Sequence, residues 1–403
     1  EEPTTAGSHP VIVLALDGLR ADALGCYGAP AGTPTFDALA AESIRFEWAF
    51  AQAPTMLPSL ASLFTGLYPT THGLREPGDR LAGQAPTMAG VFADAGMVTA
   101  AFVEGLPGGD DFGLASGFTS YQTLPAPGEA AVEWMRAHVD DDFLLVVAGW
   151  SSPALDTVDR LLGSGAPEGM EERVVEVLTS RGTDSPELFG TEDLEFARSW
   201  YSARIQVIDS RLEAFLAEFR RLGLDRRATL IVLGSSGFAL QEHKDLFGES
   251  LYTPVTRVPL LMRPPGGRGA ATVTKIVELV DLMPTIFDLT GQATPPGVQG
   301  ASLVPIIDGA GTPPYIAFGE SPDDGGRRFV ALGGMRLISG AGGEGAEIYD
   351  LANDPLELDD LAASEEERVG VLVRHLHAWE KMVAAVSLDP ELRTEEDLDE
   401  DTL

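Results

Sequence analysis

The side chains able to do chemistry are few, and most stand beside glycine, serine or proline. Asp17 ends the apolar run Val11-Ile-Val-Leu-Ala-Leu16 and precedes Gly18. A carboxylate so placed can ligate a divalent cation or move a proton. Thr55 and Ser59 flank Met56, Leu57 and Pro58, and their hydroxyls become nucleophiles only with a base or metal to activate them. Ser235 and Ser236 follow another apolar run, Thr229–Leu233, and can donate hydrogen bonds to a carboxylate. His375 and His377 stand two apart, on different faces of a helix, which does not make a zinc site. Cys26 is the single cysteine, so an internal disulfide and a multi-cysteine zinc site are both excluded.

These residues need elements to hold them. Val11–Leu16 is continuous, apolar and rich in β-branched residues, the pattern of a central strand buried on both faces. Phe143–Ala148 and Thr229–Leu233 have the same character. Ligands of open α/β sheets gather where such strands end, which is where Asp17 falls. Tyr201, Ile205, Ile208, Leu212, Phe215, Phe219 and Leu222 form one apolar stripe closed by Gly223, which predicts a sheet-covering helix. A second helix is expected over Pro58–Phe64, ended by Gly66. After Pro305 the pattern becomes short strands (Phe329–Leu332, Met335–Ser339, Glu347–Leu351) and a helix over Glu365–Val386. The expected organisation is an N-terminal arm at 1–10, an α/β domain at 11–305 with a surface insertion at about 163–192, a small antiparallel sheet plus helix at 306–390, and an acidic tail at 391–403.

With 44% hydrophobic residues among 403, the chain can build a large core, and apolar runs such as Val11–Leu16 are too short to span a bilayer. Net charge is −35, with 62 acidic residues against 27 basic ones, which excludes nucleic acid and anionic membrane surfaces as partners. The acidity reads as a solvated, self-repelling surface, or as a face for a basic protein partner. Residues Glu391–Asp401 hold seven acidic residues and one arginine and read as a frayed tail. The polar start Glu1–Pro10 resembles an arm left by processing, which places the protein in an exported setting: periplasm, cell envelope or extracellular space.

Longer stretches carry a specific likeness. Ile12-Val-Leu-Ala-Leu-Asp-Gly-Leu-Arg-Ala-Asp22 with Leu24-Gly-Cys-Tyr-Gly28 closely resembles the opening of the sulfatase family of the alkaline-phosphatase superfamily. Thr33–Ala40 resembles that family's PNLDALA helix, and Ala51–Pro69 with His72-Gly73 its signature segment. Glu242-His243, Arg257–Leu260, Leu279–Thr285, Gln299–Leu303 and Ile348–Leu351 with Asp354-Pro355 continue the match in order along nearly the whole chain. The resemblance implies a mixed, mainly parallel sheet flanked by helices with a small C-terminal α+β subdomain.

The same resemblance implies a three-part site, and each part departs from the family pattern here. Sulfatases carry Cys or Ser, any residue, then Pro-Ser-Arg, and oxidise the first to formylglycine; the matching positions are Met56-Leu57-Pro58-Ser59-Leu60. A thioether cannot become that aldehyde, and Leu60 stands where the arginine would be. The family's divalent cation, typically calcium, takes an Asp-Asp pair and a later Asp-Asn or Asp-His pair; here these read Asp17-Gly18 and, within Gly234-Ser235-Ser236-Gly237, the two serines. Asp17 is the residual ligand position, Gly18, Ser235 and Ser236 the lost ones, and hydroxyls are expected to stand around Asp17 where the cation stood. The sulfate-binding Lys-x-His segment falls on Glu104-Gly105-Leu106 and the Asp-Pro-His-like loop on Trp150-Ser151-Ser152, with none of the lysines Lys244, Lys275 and Lys381 in the matching places. A site lined by Glu104 repels sulfate. His72 and His243 keep family positions and read as structural, and Cys26, in the family's GCYG turn, as a small buried filler.

The expectation is therefore a pseudosulfatase that binds, scaffolds or regulates, with no cofactor and no metal and no catalytic residue. A sulfuric or phosphoric ester hydrolase built around Asp17, with Thr55 or Ser59 as nucleophile and calcium bound, is the alternative. The old cleft, stripped of anion-binding charge, suits a neutral or cationic small ligand if it takes one.

Overall fold

Each of the six residues of β1 (Val11–Leu16) is fully buried, because helices cover both faces of the sheet it runs through. In the computed structural model the described residues are 9–30, 32–76, 78–104, 112–149, 191–243, 250–267, 269–311, 314–322, 325–388 and 391–392. The large sheet has eight strands in the order β5-β4-β6-β1-β7-β8-β2-β9. They are β2 (Ile44–Phe50), β4 (Val98–Val103), β5 (Ser120–Thr123), β6 (Phe143–Gly149), β7 (Thr229–Gly234), β8 (Arg257–Arg263) and β9 (Ala271–Glu278), with β1. Strands β5, β4, β6, β1 and β7 run parallel, β8 is antiparallel to both its neighbours, and β2 and β9 are parallel.

Alternation along β1 sends Val11, Val13 and Ala15 to one face and Ile12, Leu14 and Leu16 to the other. Against the first face pack α2 (Met56–Thr65), α4 (Met88–Asp94) and α8 (Leu282–Thr290), through Leu60, Leu63, Phe92, Met283 and Phe287. Against the second pack α1 (Pro34–Ala40), α5 (Pro127–Ala137) and α6 (Thr191–Arg221), the last through Ile205, Ile208, Leu212, Phe215 and Phe219. The stripe read from the sequence is the inward face of α6, whose start at Thr191 lies well before the stripe's first residue. Helix α2 begins at Met56 rather than Pro58: Thr55 is its extended N-cap residue, so Pro58 falls in the first turn, where its missing N–H leaves no bond unmade. It ends at Gly66, whose φ of +65° is left-handed and whose absent Cβ would lie 2.7 Å from Val298.

A four-stranded antiparallel sheet follows, β10 (Ile316–Glu320), β11 (Arg328–Leu332), β12 (Met335–Ser339) and β13 (Glu347–Asp350). One face receives the C-terminal helix Glu366–Ala385 through Leu372, Leu376 and Trp379, and the other meets Phe50 and Leu251 of the large domain. The short helix Val304–Ile307 straddles the expected boundary at 305. At the chain ends the described residues reach only the edges of the expected arm and tail. Pro10 is buried and its carbonyl accepts from the Thr229 amide at 3.0 Å, while His9 Nε2 lies 2.8 Å from Thr229 Oγ1, so these two residues are tied to β7 before β1 begins. In the acidic tail, Glu391–Leu392 form β14, which pairs antiparallel with β3 (Asp79–Arg80). Residues 1–8, the expected insertion up to 190, and residues 393–403 lie outside the described residues. No helix among the described residues is long and apolar enough to cross a membrane.

Candidate functional site at the strand ends

Parallel β4, β6, β1 and β7 finish side by side, so their last residues and the turns beyond them share one edge. Three backbone bonds bind these turns. The Asp17 amide donates to Gly149 O (3.1 Å), the Ser235 amide to Leu16 O (2.9 Å) and the Leu19 amide to Ser236 O (2.9 Å). Glu104, just past β4, donates its amide to Ala148 O at 2.8 Å.

The half-buried Asp17 carboxylate meets the two serines across the β1–β7 edge. Ser236 Oγ donates to Asp17 Oδ1 at 2.7 Å, and Ser235 Oγ lies 3.4 Å from the same oxygen. Both serines are buried, so their hydroxyls have little water to turn to and the acid is their partner. Gly18 follows with φ +62°, and a Cβ there would lie 2.9 Å from Arg204 Nη1 and 3.0 Å from Nη2. Arg204, on α6 and 7% exposed, donates to Gly18 O (3.1 Å) and Asp17 O (2.9 Å). Tyr201, one turn earlier, donates its hydroxyl to Gly18 O at 3.0 Å and accepts the Arg20 amide at 3.0 Å. Burial pushes its phenol up to about 12, so it remains a donor at neutral pH. Beyond it Arg20 forks onto Asp22 at 2.8 and 2.7 Å and reaches Glu242.

Thr55 and Met56 stand at the head of α2, both half-buried, and the Thr55 side chain makes no capping bond. Ser59 is fully buried and spends its hydroxyl on Ala53 O at 3.0 Å, and Leu60 is packed into the core. His72 is buried; its Nδ1 accepts the Leu74 amide (3.1 Å), which puts the ring proton on Nε2 facing Ser62 Oγ (3.1 Å). Burial drives this imidazole down to about 3, so it is a neutral brace between α2 and α3 (Pro69–His72). His243 stacks on Tyr252 at 3.5 Å and bonds Leu356 O at 2.7 Å, away from Asp17's partners. Burial, with Asp37 nearby, lifts the half-buried Cys26 thiol to about 12, which keeps it protonated and unreactive. His375 and His377 belong to the C-terminal helix that covers the small sheet.

The strand ends thus gather Asp17, Ser235 and Ser236, while Ser59 and Leu60 are turned to packing. Gly105, Leu106, Trp150, Ser151, Ser152 and Lys244 lie outside the described residues. Arg204 was not singled out by the sequence. Its signal was a charge three residues after Tyr201 and four before Ile208, on the inward side of an otherwise apolar stripe. Among the described residues no group of three or more His, Cys, Asp or Glu is placed to hold a metal ion.

Comparison with known proteins converges on one family. A family profile described as Sulfatase matches residues 9–145 and 175–292. An arylsulfatase of Clostridium perfringens is 23% identical, the match covering 92% of this chain and 95% of that one. Mouse arylsulfatase K is 28% identical over 43% of this chain, and the match spans only 34% of that relative's length. The fold is shared with the phosphonate monoester hydrolase of Agrobacterium radiobacter (TM-score 0.76, 19% identity, 96% of this chain and 100% of that one). It is shared too with a protein solved in complex with its substrate D-glucosamine-2-N,6-O-disulfate (TM-score 0.74, 18% identity, covering 95% and 99%).

Proposed function

Because the chain belongs to the sulfatase family yet opens α2 with Met56, we propose that it is a sulfatase-fold protein without ester-hydrolase activity, retained for binding, scaffolding or regulation in an exported setting. The observation that carries the reading is the Asp17 carboxylate, which accepts the hydroxyl of buried Ser236 at 2.7 Å. Calcium takes about six to eight oxygens, several of them carboxylate. The described surroundings of Asp17 do not fit it: two serine hydroxyls carry no charge, and the space toward which a side chain at Gly18 would grow is filled by the Arg204 guanidinium. A thioether at Met56 has no ionisable proton and cannot attack sulfur or phosphorus.

Thr55 favours the second reading more than Ser59 does, since its hydroxyl makes no capping bond while that of Ser59 is committed to Ala53. One experiment separates the two. The purified protein is assayed for metal by elemental analysis and for turnover of aryl sulfate, phosphate monoester and phosphonate monoester, beside Asp17→Ala and Thr55→Val. No stoichiometric dication and turnover equal to that of both variants is the expected result. Hydrolysis that disappears with either substitution would establish the hydrolase.

A further inference from the structure

We propose that Arg204 is a resident cation of this site, a positioning residue whose guanidinium holds the β1 turn from within the chain. The inference rests on the reading above that no dication organises the strand ends. Carbonyl oxygens Asp17 O and Gly18 O converge on one guanidinium, and without it Gly18 O would keep only the Tyr201 hydroxyl. Arg204 brings both donors on one rigid fork, Nη1 to Gly18 O at 3.1 Å and Nη2 to Asp17 O at 2.9 Å. Its position is fixed from behind, because α6 seats Ile205, Ile208 and Leu212 in the core. Its face is bounded by Phe238 at 5.9 Å and Tyr201 at 6.0 Å, and Tyr201 adds a second donor to Gly18 O. Positive charge is thereby placed on the backbone of the turn that carries Asp17.

Gly18 belongs to the same device. Its φ of +62° suits glycine, and a Cβ would stand 2.9 Å from Nη1, so the missing side chain is what lets the guanidinium approach the two carbonyls. The seat also excludes an ion: a carboxylate grown at position 18 meets Arg204 first and is neutralised there before any dication is coordinated.

Hydrogen exchange, thermal unfolding and calcium titration by calorimetry, on the intact protein, test this without any activity measurement. The Leu19 and Ser235 amides, bonded to Ser236 O and Leu16 O, report the turn. Arg204→Ala is expected to speed exchange at both by about tenfold or more, while amides of β10–β13 keep their rates, which shows that the fold persists. Arg204→Lys, one point charge in place of a two-pronged fork, is expected to fall between wild type and Arg204→Ala. Gly18→Asp alone is expected to gain no calcium binding. Unchanged exchange in Arg204→Ala would overturn the proposal, as would calcium binding by Gly18→Asp with Arg204 in place. Stoichiometric calcium in the wild type would overturn the non-metal reading and this proposal together, whereas ester turnover without metal would overturn only the reading of a protein without hydrolase activity.

Discussion

Two places in this molecule join a buried arginine to a segment that carries a carboxylate, and they use it differently. At the strand ends Arg204 spends its fork on the carbonyls of Asp17 and Gly18, and the Asp17 carboxylate is left to serine hydroxyls. At the seam between the two sheets, Arg336 of β12 faces Glu357 directly, with both side chains fully buried. There Nη1 reaches both carboxylate oxygens at 3.2 Å and Thr253 Oγ1 at 3.0 Å, and Nη2 reaches Thr256 Oγ1 at 2.7 Å and Leu251 O. The guanidinium lies 4.0 Å over Phe329, and Glu357 closes the arrangement from a left-handed backbone (φ +60°), its carboxylate accepting the Thr253 amide at 2.7 Å. The seam is a matched ion pair with almost every arm used, while the strand ends hold an acid whose arginine is engaged elsewhere. Burial makes the first intolerant of losing either partner and leaves the second open to neutral replacement.

The largest effect expected on either side of that contrast is at the seam. Glu357→Ala or Arg336→Ala strands one charge in a dry interior and is expected to cost about 3–5 kcal/mol of stability, read from denaturant unfolding. Arg336→Met combined with Glu357→Leu removes both charges and is expected to return most of that loss. Were Asp17→Ala to cost as much as Glu357→Ala, the two centres would be of one kind and the contrast would fail.

The strand ends were more legible than the seam. Asp17, Ser235 and Ser236 each end or follow a continuous apolar run, and strand runs with their terminal residues are local features of a sequence. Three of the four strands of the small sheet, β11 to β13, and both long helices are legible for the same reason, through glycine punctuation and apolar period, whereas β10 is not. Arg336, Glu357 and Thr253 lie on three separated segments, and nothing local marks an arginine inside Met335–Ser339 as a core residue. A proline marks the first turn of a helix without fixing its first residue, so α2 opens two residues before Pro58, at Met56. Arg204 was passed over because a single charge in an apolar stripe looks like a boundary residue until the turn it reaches is known.

A third buried centre sharpens the contrast by lacking a cation altogether. The Glu278 carboxylate accepts Tyr68 Oη at 3.0 and 2.9 Å, the Phe318 amide at 2.8 Å and Gln52 Nε2 at 3.4 Å; Asp281 accepts the Glu278 amide at 2.9 Å and the Ala301 amide at 2.8 Å. Burial and then the neighbouring Asp281 push Glu278 well above the carboxyl range, and burial lifts Asp281 from 3.8 to about 6. The folded state therefore holds protons that the unfolded chain releases, so this centre's contribution is full below about 3.8 and is lost as pH rises through about 6 and beyond. His72 has the opposite sign: burial holds it at about 3 against 6.5 in the unfolded chain, so its contribution is present above 6.5 and is lost as pH falls toward 3. Glu278→Gln is expected to flatten the alkaline decline, and His72→Gln to flatten the acid one, both read as unfolding midpoints across pH. A decline unchanged by Glu278→Gln would mean that Tyr68 and the Phe318 amide already neutralise the charge as well as Arg336 does at the seam.

The smallest effect is expected at Asp17 itself. Asn in its place keeps an oxygen where Oδ1 accepts from Ser236 and removes only the charge, which has no guanidinium on its carboxylate among the contacts described. Asp17→Asn should therefore change stability by no more than about 1 kcal/mol, the range of a single exchanged hydrogen bond. Ser236→Ala removes the 2.7 Å donor and leaves the acid with Ser235 at 3.4 Å, so it should cost more than Asp17→Asn, an ordering that unfolding measurements on the two variants read directly. In a double-mutant cycle the two losses should overlap, because both act on one bond. Additive losses, or an Asp17→Asn cost approaching that of Glu357→Ala, would mean that the charge of Asp17 still answers a cation.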